Sequence, residues 1–107
     1  MSEESFAGPL ADFDAMRCWG ELWARPGLGA RDRSLVTVAI LAAQSRFEEL
    51  RTALRGAATS GCGTEEIQEV LLHAGIYGGR DALEESLCIA ERTLDRGAHL
   101  RVYRNVS

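Results

Sequence analysis

Glycine and proline cut this 107-residue chain into pieces of helical length, and that punctuation limits the folds open to it. Arg25-Pro26-Gly27-Leu28-Gly29 reads as a turn, because proline pre-sets φ and glycine tolerates positive φ. Ser60-Gly61-Cys62-Gly63, Gly78-Gly79 and Gly97 mark three later stops. Between these marks apolar residues recur every three to four positions, which is helical spacing. Ala11 to Trp23 places Phe13, Met16, Trp19 and Trp23 on one stripe. Phe47 to Ser60 turns Phe47, Leu50, Leu54 and Ala57/Ala58 inward and Glu48, Arg51, Thr52 and Arg55 to water. Thr64 to Tyr77 opens on Glu65 and Glu66, acids suited to the positive end of a helix dipole, and carries Ile67, Val70, Leu71 and Ala74. Asp81 to Arg96 carries Leu83, Leu87, Ala90 and Leu94. Arg31 to Gln44 is different: it is apolar on nearly every side from Leu35 to Ala43, the pattern of a buried central helix. Its β-branched Val36, Thr37, Val38 and Ile40 fit a buried strand as well. Strand-like alternation occurs nowhere, so the expected class is all-α. About five helices form a single domain over 1–107, with a core over 15–96 and a basic tail over 98–107.

The charged residues narrow the chemistry. All 12 basic residues are arginine. Without lysine there is no Schiff base to a carbonyl substrate or to pyridoxal phosphate, and no P-loop lysine for a nucleotide. Sixteen acidic residues leave a formal charge of −4, which argues against nucleic acid as a partner. Arginine suits bidentate capture of carboxylates, so a small anionic organic substrate is the expected ligand. Cys18, Cys62 and Cys88 include no CxxC pair and have no closely spaced histidine, so neither a disulfide framework nor a metal site is expected, and each reads as a small packing residue. The first fourteen residues hold four acids and no base, unlike a secretory signal, and the longest apolar run, Val38 to Ala43, is far shorter than the ~20 residues of a membrane span. A cytoplasmic protein with no membrane contact is expected.

The residues also carry a family resemblance. Cys18-Trp19-Gly20 with Trp23 and Arg25-Pro26-Gly27-Leu28, then Arg33-Ser34-Leu35, then Arg55-Gly56-Ala57 with Gly61, then Glu65-Glu66-Ile67, Glu69-Val70-Leu71-Leu72 and Ile76-Tyr77-Gly79 resemble the gamma-carboxymuconolactone decarboxylase family. The likeness runs in order from Cys18 to Leu94. It implies an alkylhydroperoxidase D-like helical bundle, a homo-oligomer of trimers or of trimers paired into hexamers, and cofactor-free decarboxylation of a small lactone acid. Two departures follow from the same likeness. The peroxidase branch of the superfamily uses a CxxC where this chain has Arg46 and Glu49, so thiol peroxidase chemistry is excluded. The decarboxylase branch carries a histidine, assigned to proton transfer, where this chain has Ala53. The expectation is therefore a diverged member on a specialised biosynthetic pathway: a cofactor-independent carbon–carbon lyase acting on a compact carboxylated lactone or enone-type acid. An isomerase or cyclase on the same scaffold, and a non-catalytic oligomeric binding protein, are the alternatives.

Cofactor-free loss of CO₂ requires the substrate to hold the electron pair while the protein positions a carboxylate, stabilises charge and delivers a proton. Arg46, Glu49 and Ala53 stand at i, i+3 and i+7, on one side of a helix. They read either as a reshaped pocket with a carboxylate acid–base or as a surface ion pair beside a packing residue. Glu69, His73 and Tyr77 at i, i+4 and i+8 read as a proton-transfer set or as helix packing. Glu21 is a further acid candidate near Trp19, whose ring packs with Trp23 or lines the pocket. Arg33 and Ser34 open a helix, where they bind an anion or cap the first turn. The expected catalytic residues are thus Glu49, His73, Glu21 and Tyr77. The expected substrate-binding residues are Arg46, Arg33, Ser34, Ala53 and Trp19.

Overall fold

A computed structural model describes residue 9 and residues 19–94. Within them the chain forms α1 (Trp19–Trp23), α2 (Ala30–Ala43), α3 (Phe47–Thr59), α4 (Thr64–Gly78) and α5 (Arg80–Leu94), with no strand among the described residues. The expected helix over 11–18, Cys18, the last turn at 95–96, Gly97, His99 and the 98–107 tail lie outside the described residues.

The helix boundaries follow from local chemistry. Gly29 and Gly63, in extended conformation, precede α2 and α4, and each helix has an acid in its first turn. Glu66 also reaches back to accept from the Gly63 amide at 3.4 Å. α3 ends in a Schellman turn: Gly61 at φ 95°, Gly61 N–H donating to Ala58 O, and Cys62 N–H to Ala57 O. α2 ends in the same hydrogen-bond pattern, Ser45 to Ala42 O and Arg46 to Leu41 O. There a serine at φ 59° fills the position that usually needs glycine.

Leu50, Leu54, Ile67, Leu71, Ile89 and Val38 are wholly buried, each large side chain contributing about 1.5–3 kcal/mol. α2 packs on α3 and on α4, and α5 packs on those same two helices from the far side; α3 and α4 are not themselves a packed pair. The Arg31–Glu66 ion pair joins the first turns of α2 and α4, and Ala43 meets Gly78 at their last turns, so these two helices run parallel. The buried central helix of the sequence reading is only half realised. Val38, Leu41 and Ala42 are buried, but Val36 and Ile40 stand 47% and 48% exposed. One helix cannot be enclosed on every side by three neighbours, so one apolar face of α2 is left outward. Ala58, read as inward, is exposed too, because it lies in the last turn beyond the packed face of α3. No described helix is long and apolar enough to cross a membrane.

Two glycines test this packing. A Cβ on Gly78 would lie 2.7 Å from Ala43 Cα and O, whereas a Cβ on Gly56 of α3 meets nothing within 4 Å. Gly78→Ala is expected to lower the urea-unfolding free energy by more than about 1 kcal/mol, while Gly56→Ala raises it by about 0.5–1 kcal/mol through helix propensity.

Candidate functional site

The site candidates fall on two sides of α2. On one side, α2 and α3 lie antiparallel, joined near one end by the Ser34–Ser60 hydroxyl pair at 3.3 Å and near the other by Arg46 donating to Gln44 at 3.3 Å. That register places Ala53 across from Ile40 and Gly56 across from Thr37. α3 presents Arg46, Glu49, Ala53, Gly56 and Ser60 along this edge at heptad spacing, and α2 presents Arg33, Thr37, Ile40 and Gln44. Alanine and glycine at its middle give this edge a lane of small residues on α3 that is open to solvent: Gly56 and Ile40 are exposed, and a Cβ on Gly56 would meet nothing within 4 Å.

The two ends of the lane differ in charge. Arg46 makes a bidentate pair with Glu49, Nε to Oε1 at 2.8 Å and NH2 to Oε2 at 2.6 Å, both side chains about half exposed. The hydrogen bond and then the charge of Glu49 raise the Arg46 pKa still further, so this pair is electrically closed. Arg33 is half-buried and is held by main-chain carbonyls alone: Nε donates to Leu28 O at 3.0 Å and NH2 to Arg25 O at 3.4 Å. It has no carboxylate partner among the described residues. Carbonyls orient a guanidinium without neutralising it. The Pro26-Gly27 turn, read from sequence as a breaker, is thus the frame that fixes this cation. Ser34 beside it is buried, and the Thr37 hydroxyl donates to Arg33 O at 2.8 Å.

On the other side of α2, α4 carries the second set. The His73 and Tyr77 rings stack at 5.8 Å between centroids with 30° between planes, both outward. Glu69 is exposed and makes no ion pair with a described residue. The structure therefore joins two members of the expected α4 set and leaves the third alone. It also keeps the α3 and α4 sets apart, since α2 stands between their helices. Glu21 lies exposed on α1 and is already engaged, and Trp19 belongs to α1. Among the described residues no cluster of three metal-ligating side chains occurs.

Sequence reading missed one group of contacts. Arg31 grips both oxygens of Glu66, which is 35 positions away, and the Cys62 thiol lies 3.7 Å from Arg31 O. Separation along the chain hid it; only an Arg and a Glu in the first turns of two helices hinted at it.

Among known proteins, the model of the carboxymuconolactone decarboxylase family matches residues 10–92. The chain is 41% identical over 86 residues to 4-carboxymuconolactone decarboxylase of Acinetobacter baylyi, covering 80% of this chain and 64% of that protein. It is 36% identical over 100 residues to nitrosuccinic acid decarboxylase of Metarhizium robertsii, covering 90% and 70%. An uncharacterised 15.0 kDa protein of Paracoccus denitrificans is 31% identical over 86 residues, covering 78% of this chain and 64% of its own length. The chain thus spans a little under two thirds of the Acinetobacter and Paracoccus relatives. No solved structure matches it.

The buried thiol supplies a test of this end of the bundle. Burial is the main cause raising the Cys62 pKa above its ordinary 9.0, with Arg31 opposing. The folded chain then keeps a proton that the unfolded chain releases, so this contribution is whole below pH 9.0 and is lost as pH rises through the folded-state value. Between about pH 8 and about pH 10, urea unfolding of Cys62→Ala should show a shallower loss of stability than the parent chain.

Proposed function

We propose, because this chain belongs to the carboxymuconolactone decarboxylase family with its alkylhydroperoxidase D-like helical fold, that it is a decarboxylase-like lyase acting on a compact dicarboxylic acid. The observation that carries the reading is Arg33: a guanidinium fixed by two carbonyls, unneutralised by any described carboxylate, at the head of a lane lined by small residues.

The named substrates of two relatives narrow the class. Carboxymuconolactone and nitrosuccinic acid are both acids in which one carbon bears a carboxylate and a carboxymethyl arm. In each, that carbon also bears a group able to take an electron pair, a conjugated lactone in one and a nitro group in the other. Loss of CO₂ then leaves a delocalised anion held by the substrate itself. For this chain the same logic gives a succinate-like acid with an electron-accepting substituent, and no cofactor is needed to hold the charge.

The division of labour follows from the lane. Arg33 holds the retained carboxylate, with the Ser34 hydroxyl beside it, and so orients the departing one toward the middle. Ala53 and Gly56 make room there beside the apolar side chain of Ile40, and the electron-accepting group of the substrate itself disperses the charge. Where the family resemblance implies a histidine, Ala53 offers no proton, so the proton comes from a water oriented by Glu49, which Arg46 holds in place. His73 and Tyr77, across α2, reach this lane only if a second copy supplies them. A specialised pathway, rather than a general catabolic one, suits the missing histidine.

The direct assay is CO₂ release from carboxymuconolactone and from nitrosuccinate in the presence of the full chain. Release above the buffer rate with at least one is expected, and Arg33→Gln should cut kcat/KM about tenfold to a hundredfold, the worth of a charge-assisted hydrogen bond. Ala53→His should raise the rate with the lactone. Binding of both acids with release at the buffer rate would replace the lyase reading with a binding protein.

A further inference from the structure

Four hydroxyls stand at the Arg33 end of the α2–α3 pair: Ser34 and Thr37 on α2, Thr59 and Ser60 at the end of α3. Thr37 donates to Arg33 O at 2.8 Å and Thr59 to Arg55 O at 3.0 Å, so both protons are committed to their own helices. Ser34 and Ser60 face each other at 3.3 Å, and neither side chain has another partner among the described residues. We infer that Ser60 is a carboxylate-binding residue of this site, donating its hydroxyl proton to the same carboxylate that Arg33 holds. The inference rests on the decarboxylase-like reading above and adds to its anion end a second donor, from the facing helix.

Burial sets the direction of the serine pair. Two hydroxyls joined by one hydrogen bond leave one proton over. Ser34 is 5% exposed; if Ser60 donated to it, the Ser34 proton would be buried without an acceptor, the costlier arrangement. Ser34 therefore donates and Ser60 accepts, which leaves the Ser60 proton for the exposed side. A hydroxyl that already accepts a hydrogen bond is the stronger donor, because successive bonds polarise one another. The backbone beneath it is fixed as well: Ser60 N–H donates to Gly56 O at 2.9 Å, and the Schellman turn follows at Gly61. Arg33 needs such a neighbour. Its Nε and NH2 are held by Leu28 O and Arg25 O, which leaves NH1 as its one nitrogen without a described partner. A carboxylate offers two oxygens and about four acceptor sites, more than that nitrogen fills. Ser60 fills one of them from the facing helix, and buried Ser34 acts on the ligand only through it.

Succinate, which has two carboxylates and no group to accept an electron pair, probes the site without turnover. In calorimetric titration of the full chain, Ser60→Ala should bind succinate about tenfold more weakly than the parent, the effect of one hydrogen bond to a charged group. Ser60→Thr, which keeps the donor, should bind as the parent does, with the same helix content in all three chains. Unchanged affinity in Ser60→Ala beside a loss in Arg33→Gln would overturn the inference and leave the role of Arg33 standing. An equal loss in Ser60→Ala and Ser60→Thr, or no binding of succinate by the parent chain, would overturn it too. Because succinate does not react, failure of CO₂ release from carboxymuconolactone and nitrosuccinate would remove the lyase reading without altering this result.

Discussion

The close approach of α2 and α4 is the constraint on which the rest of the molecule depends. At one end Gly78 has no side chain, and the Ala43 backbone occupies the space where a Cβ would be. At the other end Arg31 holds Glu66, while the Cys62 thiol lies against Arg31 O. Pinned at both ends, the two helices run parallel, which uncapped dipoles would oppose; the acids Asp32, Glu65 and Glu66 in their first turns offset that cost. α3 and α5 then fill the remaining sides, and α2 is left with one outward face between two edges. The lane with α3 and the exposed stripe of α4 are both consequences of that placement.

Much of this was legible in the residues. Each helix from α2 to α4 begins and ends, and α5 begins, within two residues of where glycine and periodicity put it, because breakers act locally and do not await tertiary contact. The turn after α2 was less visible. Ser45 adopts the positive φ that a glycine would announce, and nothing in Gln44-Ser45-Arg46 announces it. Burial was legible for α3, whose polar and apolar faces are distinct. It was not legible for α2, where Val36 and Ile40 look like Val38 and Leu41 until the neighbours are counted. The Arg46–Glu49 pair was evident from i, i+3 spacing, since a helix brings such residues together on its own. The state of Arg33 was not, because it depends on where the carbonyls of Arg25 and Leu28 fall in an irregular turn.

Two arginines that are alike in composition differ in their surroundings. Arg46 spends its hydrogen bonds on a carboxylate and its charge is closed. Arg33 spends its hydrogen bonds on carbonyls and its charge is open, oriented in advance without being satisfied. Preorganisation of that kind lowers the cost of binding an anion, because the side chain need not be ordered when the ligand arrives. In a chain without lysine, this is the cation that sequence and structure together single out. The proposed decarboxylation needs little more from the protein: one carboxylate held, room beside it and a directed water.

Running the reaction in heavy water tests that account most directly. If the lane holds the substrate while the proton arrives from one side, each molecule of product from carboxymuconolactone gains one deuterium at the carbon that takes the proton, in a single configuration. A product labelled equally in both configurations, at the rate seen in buffer alone, would contradict it.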